Sequence, residues 1–337
     1  MTVLLTWVTT DAERTLIRDT WPDDDQVVAM DELTDDELGA LLPDVTVMVG
    51  YMRTIPRHRL SEATGLRMVH LLGHGVDQLL TEEVVELLRD RGVVVARSNP
   101  CAIPIAEFVV MNMIALSRRV LSMHTALAGR GDWSNDLVAR RGQGVLGGEL
   151  HGATLGIIGY GNIGREIHSR VTAFGMRVRA VARRPNDLTD AGLEYVHPWA
   201  DMSAFLGRCE HIVLTLPLTA QTRGLIGREQ VQAMRPGSFL YNVSRGALVD
   251  EDALFDGLSS GHLAGAALDV FASEDTVGRT GYPFSRPLHQ FNTVLTPHYS
   301  GATAEARRRA LTTVGENLRR LRAGQPVSNQ AGLDRGF

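Results

Sequence analysis

Three glycines carry the first chemistry that the chain offers. In Thr154-Leu-Gly-Ile-Ile-Gly-Tyr-Gly-Asn-Ile-Gly164 an apolar run ends in Gly159-x-Gly161-x-x-Gly164, and a helical pattern follows from Arg165. Gly159 permits a tight turn. Gly161 lets the backbone approach a pyrophosphate, and Gly164 lets the helix pack close on the strand. The helix start then offers unpaired N–H groups and a positive dipole end to phosphate. The strand before, the helix after and a second strand near 178–182 make this a dinucleotide site rather than a bland glycine-rich turn.

The second strand bears on which dinucleotide. An NAD site usually ends that strand with a carboxylate for the ribose 2′-hydroxyl. Here Ala182 is followed by Arg183 and Arg184. Two guanidinium groups suit a 2′-phosphate, so NADP(H) is favoured over NAD(H). The alternative is a pair of surface arginines.

One absence narrows the chemistry. The sequence contains no lysine, so all 34 basic residues are arginine. That removes a Schiff-base lysine and a P-loop lysine, and leaves arginine to grip any carboxylate or phosphate. The two cysteines, Cys101 and Cys209, match no metal spacing and read as small buried apolar side chains. His70 and His74 share no fixed helical face, so no metal is expected. A net charge of -5 gives no basic field for nucleic acid. No apolar run reaches membrane-spanning length, and residues 3–8 are too short for a secretion signal. The expectation is a cytoplasmic protein with no membrane partner.

The elements that must position these residues alternate in type. Strands are expected at 3–8, 45–49, 66–72 and 93–95, with helices at 11–20 and 82–90. The acidic run at 31–37 reads as a solvated helix face. Asn99-Pro-Cys-Ala-Ile-Pro104 is a breaker-rich hinge candidate, and 105–128 reads as one long connecting helix. Beyond the glycine motif, strands are expected at 212–216, 238–243, 264–270 and 293–296, and a basic helix spans 307–322. Such alternation argues a parallel sheet covered on both faces. Ser244-Arg245-Gly246 and Pro297-His298 fall just past strand ends, the edge where open parallel sheets bind ligands.

Three further segments are decisive when taken with the glycines. They are Asn242-Val-Ser-Arg245-Gly-Ala-Leu248, Leu268-Asp269-Val-Phe-Ala-Ser-Glu274 and Leu295-Thr-Pro-His298-Tyr-Ser-Gly301. Leu214-Thr-Leu-Pro217, Gly73-His-Gly75-Val-Asp77 and Ile105-Ala-Glu107 complete the pattern. Together they resemble the D-isomer-specific 2-hydroxyacid dehydrogenase family, in its glyoxylate/hydroxypyruvate reductase-like form. The resemblance covers most of the chain and is weakest in the first forty residues.

It implies two doubly wound parallel-sheet α/β domains. A Rossmann cofactor domain (104–298) would be inserted in a flavodoxin-like substrate domain (1–103 plus 299–337). It implies a catalytic set of Arg245, Glu274 and His298. Arg245 would bind a 2-oxo acid's carboxylate through paired hydrogen bonds. His298 would exchange the proton, and Glu274 would orient and charge the imidazole. Cofactor contacts are implied for Gly159, Gly161, Asn162, Ile163, Gly164, Leu216, Pro217, Thr222, Val243, Ser244 and Asp269, beside Arg183 and Arg184. A strand-end capping role is the plainer reading of Asp269. Tyr51, His74 and Gly75 would border the substrate, held between the domains. A homodimer is implied, with 117–150 as its surface.

The chain departs from the family pattern at Asp275, where a proline is usual, and in a polar stretch at 275–292. Tyr299 and His74 are also unusual. Two other readings stay open. One is oxidation of a small anion such as formate or phosphite, and the other is a nucleotide-sensing, corepressor-like binding protein.

Overall fold

The computed structural model describes residues 1–73, 75–76, 79–131, 133, 146–182, 192–274 and 281–333. The chain forms two compact units, Met1–Cys101 with Gly301–Phe337, and Ala102–Ser300. The first break falls inside the Asn99-to-Pro104 segment.

The first unit is a five-stranded parallel sheet, β1 (Thr2–Leu5), β2 (Gln26–Ala29), β3 (Val45–Gly50), β4 (Met68–Leu71) and β5 (Val94–Arg97), in the order β2-β1-β3-β4-β5. This is the flavodoxin-like winding, and its strand order reverses between β1 and β3. Helices α1 (Asp11–Thr20), α2 (Asp35–Leu41) and α3 (Glu82–Asp90) connect the strands. Thr10 and Thr34 start the first two with complete capping boxes, and Thr81 caps the third. The last helix of the chain, Ala304–Arg322, returns to this unit. Its Leu311, Val314 and Leu318 are fully buried against Val3, Val47 and Met68.

The second unit opens with α4 (Ala102–Ser117) and α5 (Val120–Arg130). Its seven-stranded parallel sheet comprises β6 (Thr154–Ile158), β7 (Arg177–Ala182), β8 (Tyr195–Pro198), β9 (His211–Leu214), β10 (Ser238–Asn242), β11 (Leu263–Leu268) and β12 (Thr293–Leu295). The order is β12-β11-β10-β9-β6-β7-β8. Counted within the unit, that is the doubly wound dinucleotide order with a seventh strand added, and it reverses between β6 and β9. Helices α6 (Asn162–Thr172), α7 (Met202–Leu206), α8 (Arg228–Ala233) and α9 (Glu251–Ser259) follow β6, β8, β9 and β10, and the Ala304–Arg322 helix becomes α10. The fold class expected from the sequence is the one observed.

Several local expectations need correction. The first strand stops at Leu5, and Trp7 and Val8 lie beyond it. The expected single helix over 105–128 is two, because Arg119 takes a left-handed conformation (φ 52°) that an α-helix cannot contain. The acidic run at 31–37 is not one helix face. Asp31 and Glu32 sit in a 3-10 turn, and Asp35, Asp36 and Glu37 fill the first turn of α2, where acidic side chains favour the helix dipole. Strands β2 and β8 carry no long apolar run and were not expected.

Candidate active site

At the switch point of the second sheet, β6 delivers the glycine turn. Gly159 has φ 95°, and a Cβ there would lie 2.9 Å from the Leu216 Cβ and the Thr215 carbonyl. The Thr215 hydroxyl donates to the Gly159 carbonyl and ties the turn to the end of β9. A Cβ on Gly164 would lie 3.0 Å from the Gly159 carbonyl oxygen, tighter than ordinary contact, so a larger residue would push the turn and α6 apart. Gly161 is different. A Cβ on it would meet nothing within 4 Å, and as the N-cap of α6 it supplies no side-chain acceptor. The first-turn N–H groups of Asn162, Ile163 and Gly164 therefore have no side-chain cap. An open approach above uncapped helix donors fits the pyrophosphate of a dinucleotide.

Beside the turn, Tyr160 Oη and His168 Nδ1 lie 2.6 Å apart, and the Arg165 guanidinium sits 5.1 Å from the Tyr160 ring. Burial lowers the His168 pKa and raises that of Tyr160. Neither the tyrosine nor the histidine was singled out in the sequence.

Next along the same sheet edge, β10 ends at Asn242. Its Nδ2 donates to the Arg245 carbonyl at 2.9 Å, and its Oδ1 accepts from Ser244 N at 3.1 Å. The Ser244 hydroxyl donates to the Leu214 carbonyl at 2.8 Å. The loop carrying Arg245 is thus fastened at both flanks. Gly246 then presses it against the β11 exit. A Cβ at 246 would lie 1.9 Å from the Phe271 carbonyl carbon, so the approach requires glycine. Phe271 lies three residues before Glu274.

Glu274 and His298 meet directly. His298 Nδ1 is 3.2 Å from Glu274 Oε1, with the glutamate largely buried and the histidine half exposed. His298 has φ 56°, a left-handed conformation uncommon for a residue with a Cβ. Asp269 explains how it persists. This fully buried carboxylate accepts from Thr296 Oγ1 (2.6 Å), Tyr299 N (2.7 Å) and Ser300 N (2.9 Å). The Asp269 carbonyl also accepts from His298 N at 2.8 Å. Both carboxylate oxygens therefore hold the loop that presents His298, as a strand-end cap does.

The other residues singled out are placed as follows. Leu216 and Val243 are buried and Pro217 is exposed. The Thr222 hydroxyl donates to the Pro217 carbonyl (2.8 Å) and accepts from Thr219 N (2.7 Å), closing the loop after β9. Arg183, Arg184 and His74 lie outside the described residues. In the first unit, Tyr51 follows β3 and is exposed, and Gly75 follows β4 half-buried. His70 is not poised as a ligand. It is buried on β4, and its Nε2 is 3.1 Å from Asn317 Nδ2. The stretch at 275–292, read as polar, carries a described aromatic portion. Phe284 lies 5.5 Å from Phe271 and 5.1 Å from Tyr282, ring centre to ring centre. Sequence reading missed Thr215, Asn242, Gly246 and Thr296, residues that hold others rather than carry a recognisable reacting group.

A doubly wound sheet with an open glycine turn at its switch point defines a dinucleotide-binding protein. Residues 110–300 match the model for the "D-isomer specific 2-hydroxyacid dehydrogenase, NAD binding domain". The chain belongs to the D-isomer specific 2-hydroxyacid dehydrogenase family. Its second unit is the NAD(P)-binding domain of that family. The chain is 33% identical over 287 residues to a hydroxypyruvate reductase of Thermotoga maritima, covering 84% of this chain and 86% of that one. It is also 33% identical over 302 residues to a D-3-phosphoglycerate dehydrogenase of Methanocaldococcus jannaschii, covering 88% of this chain. The match spans about half, 53%, of that longer protein. A crystal structure of a D-isomer specific 2-hydroxyacid dehydrogenase from Xanthobacter autotrophicus, in complex with NADPH and MES, superposes with a TM-score of 0.78 at 26% identity, covering 100% of this chain and 99% of that one. The named relatives are dehydrogenases and reductases.

Proposed function

We propose that the protein transfers hydride between NADP(H) and a small 2-oxo acid, interconverting it with the D-2-hydroxy acid. The observation that carries this reading is the His298–Glu274 pair, set on a loop that Asp269 fixes. When bound, the nicotinamide supplies the hydride for reduction or accepts it in oxidation.

The chain's own residues do the rest. Arg245 holds the substrate carboxylate, because the planar fork of a guanidinium matches the two oxygens of a carboxylate. His298 directs Nδ1 at Glu274, which leaves Nε2 to give its proton to the carbonyl oxygen as hydride reaches the adjacent carbon. In the reverse direction the neutral imidazole takes the hydroxyl proton. Glu274 fixes the rotation of the ring, and Asp269 positions the loop. The backbone N–H groups of Asn162, Ile163 and Gly164 would hold the pyrophosphate. Arg183 and Arg184, next after β7 in sequence, favour a 2′-phosphate, which supports NADP(H) over NAD(H). The working assembly is a homodimer.

The test is steady-state NADPH oxidation with glyoxylate, hydroxypyruvate and pyruvate, alongside formate and phosphite with NADP+. Reduction of a 2-oxo acid is expected. The His298→Ala variant should lose at least about a thousandfold in kcat while binding NADPH nearly as before. Turnover of formate or phosphite alone would favour small-anion oxidation. Tight nucleotide binding without turnover would favour a sensor. Loss of NADPH binding in His298→Ala would remove the acid–base assignment.

A further inference from the structure

Residues 282–286 lie beside the turn that carries Glu274, and the catalytic scheme gives them no part. They are fastened at two ends. At one end Ser285 N and Oγ donate to Glu251 Oε2, at 3.1 and 3.2 Å. The Arg286 guanidinium carbon lies 4.2 Å from the centre of the Phe255 ring, and its Nε is 3.4 Å from Asp252 Oδ1. Glu251, Asp252 and Phe255 all belong to α9, the helix that follows Arg245 and Gly246. At the other end the Ser273 hydroxyl donates to the Pro283 carbonyl at 3.0 Å, and the Phe284 ring is centred 5.5 Å from that of Phe271. Ser273 directly precedes Glu274. Phe271 is buried, and its backbone is the one that Gly246 packs against.

These ties close a frame inside the second unit. From Arg245 it runs through Gly246 and α9 to Ser285 and Phe284, then across to Phe271, Ser273 and Glu274. The glutamate depends on such a frame. Its Oε1 is 3.2 Å from His298 Nδ1 and its Oε2 is 3.5 Å from Phe271 N, both long for hydrogen bonds to a carboxylate. The turn itself is closed by a backbone bond of 3.4 Å, from Glu274 N to the Phe271 carbonyl. Bonds this long hold a side chain loosely, so the packing around the turn decides where the carboxylate rests. Phe284 supplies part of that packing, in contact with Phe271 and, at 5.1 Å between ring centres, with Tyr282.

We infer that Phe284 and Ser273 are positioning residues, which act on His298 through Glu274. This rests on the acid–base reading above and names what holds its carboxylate in place. Truncating the Phe284 ring opens space beside Phe271. Removing the Ser273 hydroxyl releases the turn from Pro283. Either change lets the turn relax and lengthens a Glu274–His298 contact that has no slack. A misplacement of about 1 Å at a reacting group can cost roughly a hundredfold in rate. The loss falls on kcat rather than on binding, because the Arg245 loop keeps its own ties to Asn242 and Ser244.

The test is a double-mutant cycle. NADPH oxidation with glyoxylate and hydroxypyruvate is measured for Phe284→Ala, Ser273→Ala, Phe284→Leu and Ser273→Thr, each in the wild type and in Glu274→Ala. In the wild-type background the two alanine variants should lower kcat by about tenfold, with both KM values within about twofold, and the leucine and threonine variants should recover most of the loss. In Glu274→Ala the same changes should cost less than about twofold, because the contact they serve is already gone. Equal losses in both backgrounds would mean a purely structural role and would overturn the inference. So would alanine variants with the wild-type kcat. If circular dichroism shows Phe284→Ala unfolded, Ser273→Ala carries the cycle alone. A second readout needs no turnover. In proton–nitrogen correlation spectra of the histidine rings, the His298 signals, assigned by their loss in His298→Ala, should move in Ser273→Ala. Unmoved signals would overturn the inference whatever the protein reduces. Moved signals in a protein that reduces no 2-oxo acid would sink the parent reading and leave the positioning role standing.

Discussion

At Asp269 a buried carboxylate does the work of a backbone. Its two oxygens take three donors from residues 296–300. An Asp269→Asn substitution keeps the size but turns one acceptor into a donor. The amide then faces either the Ser300 N–H or the Tyr299 N–H and Thr296 hydroxyl. Leaving such a group unsatisfied costs about 1–3 kcal/mol. The loop need not unfold to spoil catalysis, because His298 already holds a left-handed φ that only its surroundings enforce. Asp269→Asn should therefore lower kcat by about tenfold or more while NADPH affinity stays within about twofold. Stopped-flow turnover and fluorescence titration of NADPH read the two quantities separately. A loss confined to NADPH affinity would instead make Asp269 a direct cofactor contact.

Elements differ in how well the sequence announces them. Helices α1 and α3 are legible to the residue because a capping threonine and an acidic first turn mark their starts. The break at Arg119 is not, since it lies in an otherwise apolar helical pattern with no glycine or proline beside it. Strand β2 is short and half exposed at the sheet edge, so it lacks the apolar run that betrays β3 or β6. Arg245, Glu274 and His298 stand out only through motifs that resemble those of the family. Gly246 carries no reacting group to mark it, because what matters there is a neighbour distant in sequence. Element ends also decide the cofactor test. Replacing Arg183 and Arg184, which follow β7, by alanine should raise the NADPH KM about tenfold or more and leave the NADH KM little changed. An unchanged NADPH preference would remove them from the site.

Strand packing also sets a pH limit. His70 on β4 and His211 on β9 are pushed by burial to a pKa of about 4. For His70 the hydrogen-bond pattern agrees. Asn317 accepts through Oδ1 from Ser328 N and Oγ, which leaves Nδ2 to donate to His70 Nε2 and requires that nitrogen unprotonated. The folded pKa lies below the ordinary 6.5, so the unfolded chain binds the extra protons. The contribution is complete above pH 6.5 and is lost as pH falls towards 4, at about 1.4 kcal/mol per unit for each histidine. Each should cost roughly 2 kcal/mol at pH 5. Urea unfolding at pH 7 and pH 5 checks this, and His70→Gln, which cannot take up the proton, should remove about half of the difference. An equal pH dependence in both proteins would place the effect elsewhere.

For the molecule as a whole, the unresolved demand is apolar surface. Helix α4 is apolar on most sides. It buries Ile105, Val109 and Met113, and leaves Met111 and Ile114 exposed. Val120, Leu121 and Leu127 of α5 add to the exposed set, each close to half exposed. Single exposed apolar residues are ordinary, but several from two consecutive helices call for a partner. A second copy of the chain is the simplest one, since a two-fold contact covers the same surface on both protomers. Part of the expected 117–150 surface lies outside the described residues, so the test is placed on α5. Light scattering should give twice the chain mass of 36.8 kDa at micromolar concentration. The double substitution Leu121→Glu with Leu127→Glu introduces four like charges across a two-fold interface and should yield a monomer with its circular dichroism unchanged. A wild type that is monomeric under those conditions, or a double variant that stays dimeric, would exclude this face as the contact.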